Sequence, residues 1–168
     1  STQAPLPIKN GLARMFGLAE FKVEVIAPDV GGGFGTKIML FYPEEILVPL
    51  AAIRLRRPVK WIEDRREHLL AANQERGQLH EVEVAVDGDG RILALRDRFV
   101  HDAGAYTPYG IIVPLITATQ LPGPYRLQHY AVEFDVVYTN TAVVTAYRGA
   151  GRPHGAFVME RVIGLIAR

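Results

Sequence analysis

Two alternating apolar runs, residues 79–86 and 92–100, flank Asp87-Gly88-Asp89-Gly90, and this pattern constrains the fold more than any other stretch of the chain. Alternation sends successive side chains to opposite faces of a strand, and glycines in a short Asp/Gly linker supply the positive φ angles of a tight reversal. An antiparallel hairpin with one buried face follows. Helical periodicity supplies candidates to cover it: residues 8–18, with Gly17 near the end; residues 43–55, opened by Glu44 and Glu45 and trailed by Arg54, Arg56 and Arg57; and residues 153–167, with Pro153 in the first turn. Pro49 interrupts the second pattern. Further strands are predicted at residues 22–26, 59–63 and 132–138, and an apolar stretch over 111–121 is broken by Pro114.

The strand, helix, strand order over residues 22–63 predicts a right-handed crossover unit, with a glycine-rich loop at the carboxyl end of its first strand. The chain has 168 residues and is 49% hydrophobic, enough for a continuous core. The expectation is a single α+β domain over 1–168, with mixed sheets and flanking helices. The sequence stops at Arg168 directly after a helical pattern, without cap or loop residues. A partial domain, its downstream half missing, is therefore expected.

Charge and composition narrow the chemistry. Basic and acidic residues number 19 and 18, giving a formal charge of +1 with no cluster suited to nucleic acid or an anionic membrane. Cysteine is absent, which removes disulfides, thiolate nucleophiles and iron–sulfur ligands from this chain. No apolar run reaches the roughly 18 to 20 residues of a membrane span, and no basic-then-apolar leader opens the sequence, so a cytoplasmic location is expected. His68, His80, His101, His129 and His154 show no i, i+4 pairing, and structural or surface roles are expected for them. No direct metal ligand is assigned to a protein side chain.

Two segments stand apart. Gly31-Gly32-Gly33-Phe34-Gly35 frees the backbone of side chains, so its N–H groups can approach a ligand closely. A dinucleotide fingerprint starting at Gly33 would need glycine where Ile38 stands, and a P-loop starting at Gly31 would need glycine at Thr36 and a hydroxyl residue at Ile38. Both phosphate motifs fail, and glycine content alone leaves a ligand nest and an ordinary bulge equally open. The second segment, Thr145-Ala146-Tyr147-Arg148-Gly149-Ala150-Gly151-Arg152-Pro153, joins glycines and arginines to a helix start. It reads as an anion-facing turn or as a plain surface loop.

Taken in order, Ser1-Thr2-Gln3, the glycine loop with Lys37, and Ala146-Tyr147-Arg148-Gly149-Ala150-Gly151-Arg152 resemble the large, molybdopterin-binding subunit of the xanthine dehydrogenase, aldehyde oxidase and carbon monoxide dehydrogenase family. The likeness extends through Tyr42-Pro43-Glu44, Arg57-Pro58-Val59-Lys60-Trp61, Gly104-Ala105-Tyr106 and Tyr138-Thr139-Asn140. The resemblance implies a molybdenum hydroxylase, an oxidoreductase that inserts a water-derived oxygen at an electrophilic C–H carbon. It further implies molybdopterin, with the cytosine dinucleotide form left open, and iron–sulfur clusters and FAD carried by partner subunits or domains of a multi-subunit assembly. On its motifs, Gln3 is similar to the amide that hydrogen-bonds the metal's oxo ligand. Gly33, Phe34 and Gly35 resemble the loop presenting backbone beside the metal, and Tyr147, Arg148 and Gly149 resemble an active-site loop on the cofactor's other side.

Three departures shape the substrate expectation. Xanthine-oxidising members carry a glutamate where Ile38 stands, an arginine at the place corresponding to Ile116, and an aromatic residue where Ala150 stands. Copper-dependent carbon monoxide dehydrogenases carry a cysteine at the position of Gly149. With Ile38, Ile116 and Ala150 as pocket residues, the resemblance implies oxidation of an aldehyde or an aromatic N-heterocycle. Two alternatives remain: a copper-free relative acting on carbon monoxide or purines, and a non-catalytic interaction module of the same fold. The fragment alone is expected to be inactive.

Overall fold

The computed structural model describes residues 1–38 and 41–168. The chain divides into two compact units, Ser1–Ala72 and Asn73–Arg168, and each is described by itself.

The first unit opens with α1 (Pro5–Phe16), whose proline start needs no amide partner and whose buried face is Ile8, Leu12 and Ala13. Gly17 ends it at φ 63°, in the left-handed cap conformation that glycine adopts without penalty. Helix α2 (Pro43–Leu55) follows, capped at its start by the Glu45 carboxylate, which accepts the Tyr42 N–H at 3.0 Å. Pro49 is accommodated inside it. A third helix, α3 (Arg65–Ala71), was not expected, although a reciprocal capping box marks its start: Glu67 N–H donates to Asp64 and Asp64 N–H to Glu67, both at 2.8 Å.

The strands predicted at 22–26 and 59–63 are not formed. Residues Glu20–Lys22 make a single 3-10 turn, and neither segment joins a ladder. Alternation prepares a strand, but only a hydrogen-bonded neighbour makes one. The expected crossover unit therefore falls away, and with it the placement of the glycine loop at a strand's carboxyl end.

The second unit is built on a three-stranded sheet in the order β1 (Gln78–Val86), β2 (Ile92–Asp102), β3 (His129–Val137). Strands β1 and β2 form the expected antiparallel hairpin, with Gln78 opposite His101. Of the two turn glycines only Gly90 takes positive φ, 79°; the rest of the reversal is held by Asp87, whose carboxylate accepts the N–H groups of Asp89 and Arg91 at 2.9 Å. Strand β3 pairs with β2 in parallel, with Ala94 opposite His129. The connection between them contains α4 (Ile112–Gln120), so a strand, helix, strand unit does exist, but here and not over 22–63. Pro114 lies in the first turn of α4, where amides have no intrahelical acceptor, and so does not break it.

Along β2, Leu95, Asp97, Phe99 and His101 are buried and alternate with exposed neighbours. Helix α5 (Arg152–Ile166) supplies Val158, Met159 and Val162 to the core with Leu95 and Leu121. Each such side chain contributes about 1.5–3 kcal/mol by leaving water. A Cβ on Gly155 would come within 2.9 Å of Leu121 Cα, so glycine permits this close crossing of backbones. The outer face of the sheet mixes charged residues, with Arg96 paired to Glu83 at 2.7 Å, and the exposed apolar Leu79, Val100 and Val137. Among the described residues, no helix is long and apolar enough to cross a membrane.

Candidate functional site

In the first unit the chain start is clipped to the glycine loop. Gln3 N–H donates to the Lys37 carbonyl at 2.9 Å, and Gln3 Oε1 accepts from the amides of Gly35 at 2.9 Å and Lys37 at 3.2 Å. Two donors on one amide atom identify it as the oxygen, so the side-chain NH2 is left as a donor. This clip explains Gly33: a Cβ there would strike Gln3 Cδ, Cγ and Oε1. Gly32 takes φ 133°, and a Cβ on it would lie 2.7 Å from the Phe34 ring. Phe34 itself sits at φ 53° and is 51% exposed, an unfavourable backbone for a bulky residue.

The far side of the loop is equally fixed. Thr36 donates to the Gly33 carbonyl from N at 3.1 Å and from Oγ1 at 2.9 Å, and the Tyr42 hydroxyl donates to the Thr36 carbonyl at 2.5 Å. The Lys37 ammonium lies 4.6 Å from the Tyr42 ring centroid and 4.0 Å from the Glu63 carboxylate. Ile38 closes a turn by donating to the Gly35 carbonyl at 3.3 Å. Gln3, Gly33, Phe34, Gly35 and Ile38 are thus neighbours in one rigid loop assembly.

The second unit holds the remaining expected site residues. Tyr147, Arg148, Gly149 and Ala150 lead into α5, with Gly149 at φ 101° and Ala150 at φ 50°. A residue that sequence reasoning passed over organises them. Arg76 donates from Nη1 to the Ala150 carbonyl at 3.1 Å and from Nη2 to those of Tyr147 at 3.1 Å and Arg148 at 3.0 Å. Its guanidinium carbon lies 5.3 Å from the Tyr147 ring centroid, and the buried Glu75 carboxylate faces it. Nothing in the sequence marks Arg76, because its partners lie more than seventy positions away. Ile116 is half-buried on α4.

A buried polar chain stands behind this loop. Asp97, fully buried, is bonded by His80 Nδ1 at 2.9 Å; His80 Nε2 meets Gln78 Oε1 at 3.1 Å; and Gln78 Nε2 reaches Thr117 Oγ1 at 3.1 Å and His101 Nδ1 at 3.0 Å. Thr117 Oγ1 in turn donates toward the carbonyls of Val113 and Gly151, each at 3.2 Å. A Cβ on Gly151 would run into Val113 and Thr117, so glycine is needed for this contact.

Burial pushes the His101 imidazole below its ordinary value, and it pushes His154 down to about 4, aided by the nearby Arg76 guanidinium and the proximity of two other imidazoles. Burial alone would raise the Asp102 carboxyl, but hydrogen bonds from the Thr139 hydroxyl at 2.6 Å and the Gly104 amide at 2.7 Å outweigh it and hold the group below its ordinary value. The His101-Asp102 pair is a satisfied polar strand end. No group of three or more His, Cys, Asp or Glu side chains among the described residues could hold a metal ion.

Residues 1–168 match the molybdopterin cofactor-binding domain family throughout, and the chain belongs to it. It is 39% identical over 155 residues to the gamma subunit of the 6-hydroxypseudooxynicotine dehydrogenase complex of Paenarthrobacter nicotinovorans, covering 92% of this chain and 19% of that protein. It is 39% identical over 172 residues to the nicotine 6-hydroxylase large subunit of the same organism, covering 100% of this chain and 21% of that one. Among solved structures, quinoline 2-oxidoreductase from Pseudomonas putida 86 superposes with a TM-score of 0.89 at 40% identity, over 99% of this chain and 22% of its own. The chain therefore spans about a fifth of the length of these relatives.

The residues fit such a cofactor. A pterin–metal group presents oxo, thiolate and phosphate acceptors, and the glycine loop answers with the amide donor of Gln3 and with Gly32 and Gly33, where packing leaves no room for a Cβ.

Proposed function

We propose that these 168 residues form part of the molybdopterin-binding region of the large subunit of a molybdenum hydroxylase whose substrate is an aromatic N-heterocycle or an aldehyde. The observation that carries this reading is the Gln3 clip, in which one amide oxygen accepts two loop amides and the amide nitrogen is left as an oriented donor. When bound, the molybdenum–pterin group supplies a two-electron oxidation in which water provides the oxygen. Gln3 donates a neutral hydrogen bond to the cofactor's oxo position, and Gly33, Phe34 and Gly35 hold backbone close beside it. Tyr147, Arg148 and Gly149 contribute a second loop to cofactor binding.

Ile38, Ile116 and Ala150 stand, by resemblance, where xanthine-oxidising members carry a glutamate, an arginine and an aromatic residue, and this apolar set suits a flat heterocycle or an aldehyde and leaves a purine without an anchor. The named relatives are a nicotine 6-hydroxylase, a 6-hydroxypseudooxynicotine dehydrogenase and a quinoline 2-oxidoreductase, which supports the heterocyclic reading. Iron–sulfur and flavin partners, as separate subunits or domains, carry the electrons away, since a chain without cysteine has no cluster ligands of its own.

Purification of the full-length subunit with the chains encoded beside it tests the proposal. Molybdenum and pterin are expected in the complex, with anaerobic bleaching of flavin and cluster absorbance by quinoline, nicotine or benzaldehyde. Bleaching by xanthine or carbon monoxide alone, or a complex without molybdenum, would overturn it.

A further inference from the structure

We propose that Arg76 is a positioning residue that turns the peptide planes of residues 147–151 so that the N–H groups of Gly149 and Gly151 face an acceptor oxygen of the bound cofactor. The inference rests on the reading above, in which this loop contributes to cofactor binding.

The carbonyl accounting of the loop is complete. Arg76 takes those of Tyr147, Arg148 and Ala150; the Arg152 amide takes that of Gly149 at 3.1 Å; the Gly155 amide and the Thr117 hydroxyl take that of Gly151, each at 3.2 Å. The amides are a different matter. Ala150 N–H donates to the Tyr147 carbonyl at 2.8 Å, whereas those of Gly149 and Gly151 have no acceptor among the described residues. Gly151 is buried, and a buried amide without a partner is a group that folded proteins rarely leave unused.

Peptide planarity joins the two observations. In a trans peptide the N–H of one residue points opposite to the carbonyl of the residue before it, and there are no cis bonds among the described residues. The Arg148 carbonyl held by Arg76 sets the direction of Gly149 N–H, and the Ala150 carbonyl sets that of Gly151 N–H. Both unpartnered donors therefore point away from the guanidinium. A planar fork with five N–H donors can gather three carbonyls at once; an ammonium on a flexible stem cannot hold them in one plane. Arg76 does so at φ 90°, a backbone conformation unfavourable for a non-glycine residue that persists where surrounding contacts demand it.

The test uses the full complex carrying Arg76→Lys and Arg76→Ala. Amide exchange read by mass spectrometry is compared over residues 147–151 in cofactor-free and loaded protein, alongside molybdenum content after gel filtration and the Mo(V) resonance line shape after dithionite reduction. Loss of cofactor affinity by about 10- to 100-fold is expected, as for other residues that orient a metal's surroundings. Exchange at Gly149 and Gly151 should rise in the loaded variants, the line shape should change, and millimolar guanidinium should restore both in Arg76→Ala.

An Arg76→Lys complex with wild-type exchange, metal content and line shape would overturn the proposal, as would cofactor loading that leaves exchange of the two glycine amides unchanged in the wild type. Should Arg76→Ala fail to assemble, the lysine variant decides. A wild-type complex without molybdenum or pterin sinks the functional reading instead, a result distinct from loaded protein indifferent to Arg76.

Discussion

Replacing Gly33 by alanine tests whether that glycine exists to make room for Gln3. The backbone at Gly33 does not require glycine, since its φ is not in the left-handed region, so any effect is steric. The new Cβ would strike three atoms of the Gln3 side chain, and rotating that side chain away breaks its bonds from Gly35 and Lys37 amides. At about 0.5–1.5 kcal/mol each, losing two bonds weakens the clip by about 1–3 kcal/mol, or about 5- to 150-fold in local opening. Amide exchange at Gly35 and Lys37 in the full subunit reads this directly. Gln3→Ala should raise exchange by a similar factor, and adding Gly33→Ala to it should change little, because the obstacle is gone. An additive double variant would refute the reasoning, for it would mean that Gly33 is required for something other than Gln3.

Thr117→Val keeps shape but removes the hydroxyl that accepts from Gln78 and donates toward Gly151, taking one of two bonds from the Gln78 amide nitrogen and one of two from the Gly151 carbonyl; thermal unfolding of the subunit should show a loss of about 1 kcal/mol. His154 carries its own pH signature. With a folded value of about 4 against an ordinary 6.5, the unfolded chain binds a proton that the folded one refuses, so stability is full above pH 6.5 and falls as pH drops toward 4. His154→Gln should flatten the stability profile within that window, and an unchanged slope would count against burial as the cause.

The elements visible in the sequence were those whose signal is local. The hairpin, α2 over 43–55 and the glycine end of α1 depend on alternation, first-turn charge and a cap, all contained within a few residues. Segments 22–26 and 59–63 carried the alternation of strands but not the neighbour that would complete them, and pairing is not a local property. Helix α3 was legible after all, through Asp64 and Glu67, but its short apolar content hid it. In the candidate site, Gln3 and the two loops came from resemblance, while the reason for Gly33 and the grip of Arg76 are contacts over long separations that no spacing rule reveals.

The mixed sheet also sets an order of assembly. The β1–β2 hairpin closes across a short turn and can form as soon as its residues leave the ribosome, whereas β3 must wait for α4 to carry the chain back alongside β2. The hairpin by itself therefore leaves Leu95 uncovered until Val158, Met159 and Val162 of the last helix pack on it. For that interval the half-made sheet has one apolar face and two unpaired edges, the arrangement most open to off-pathway association.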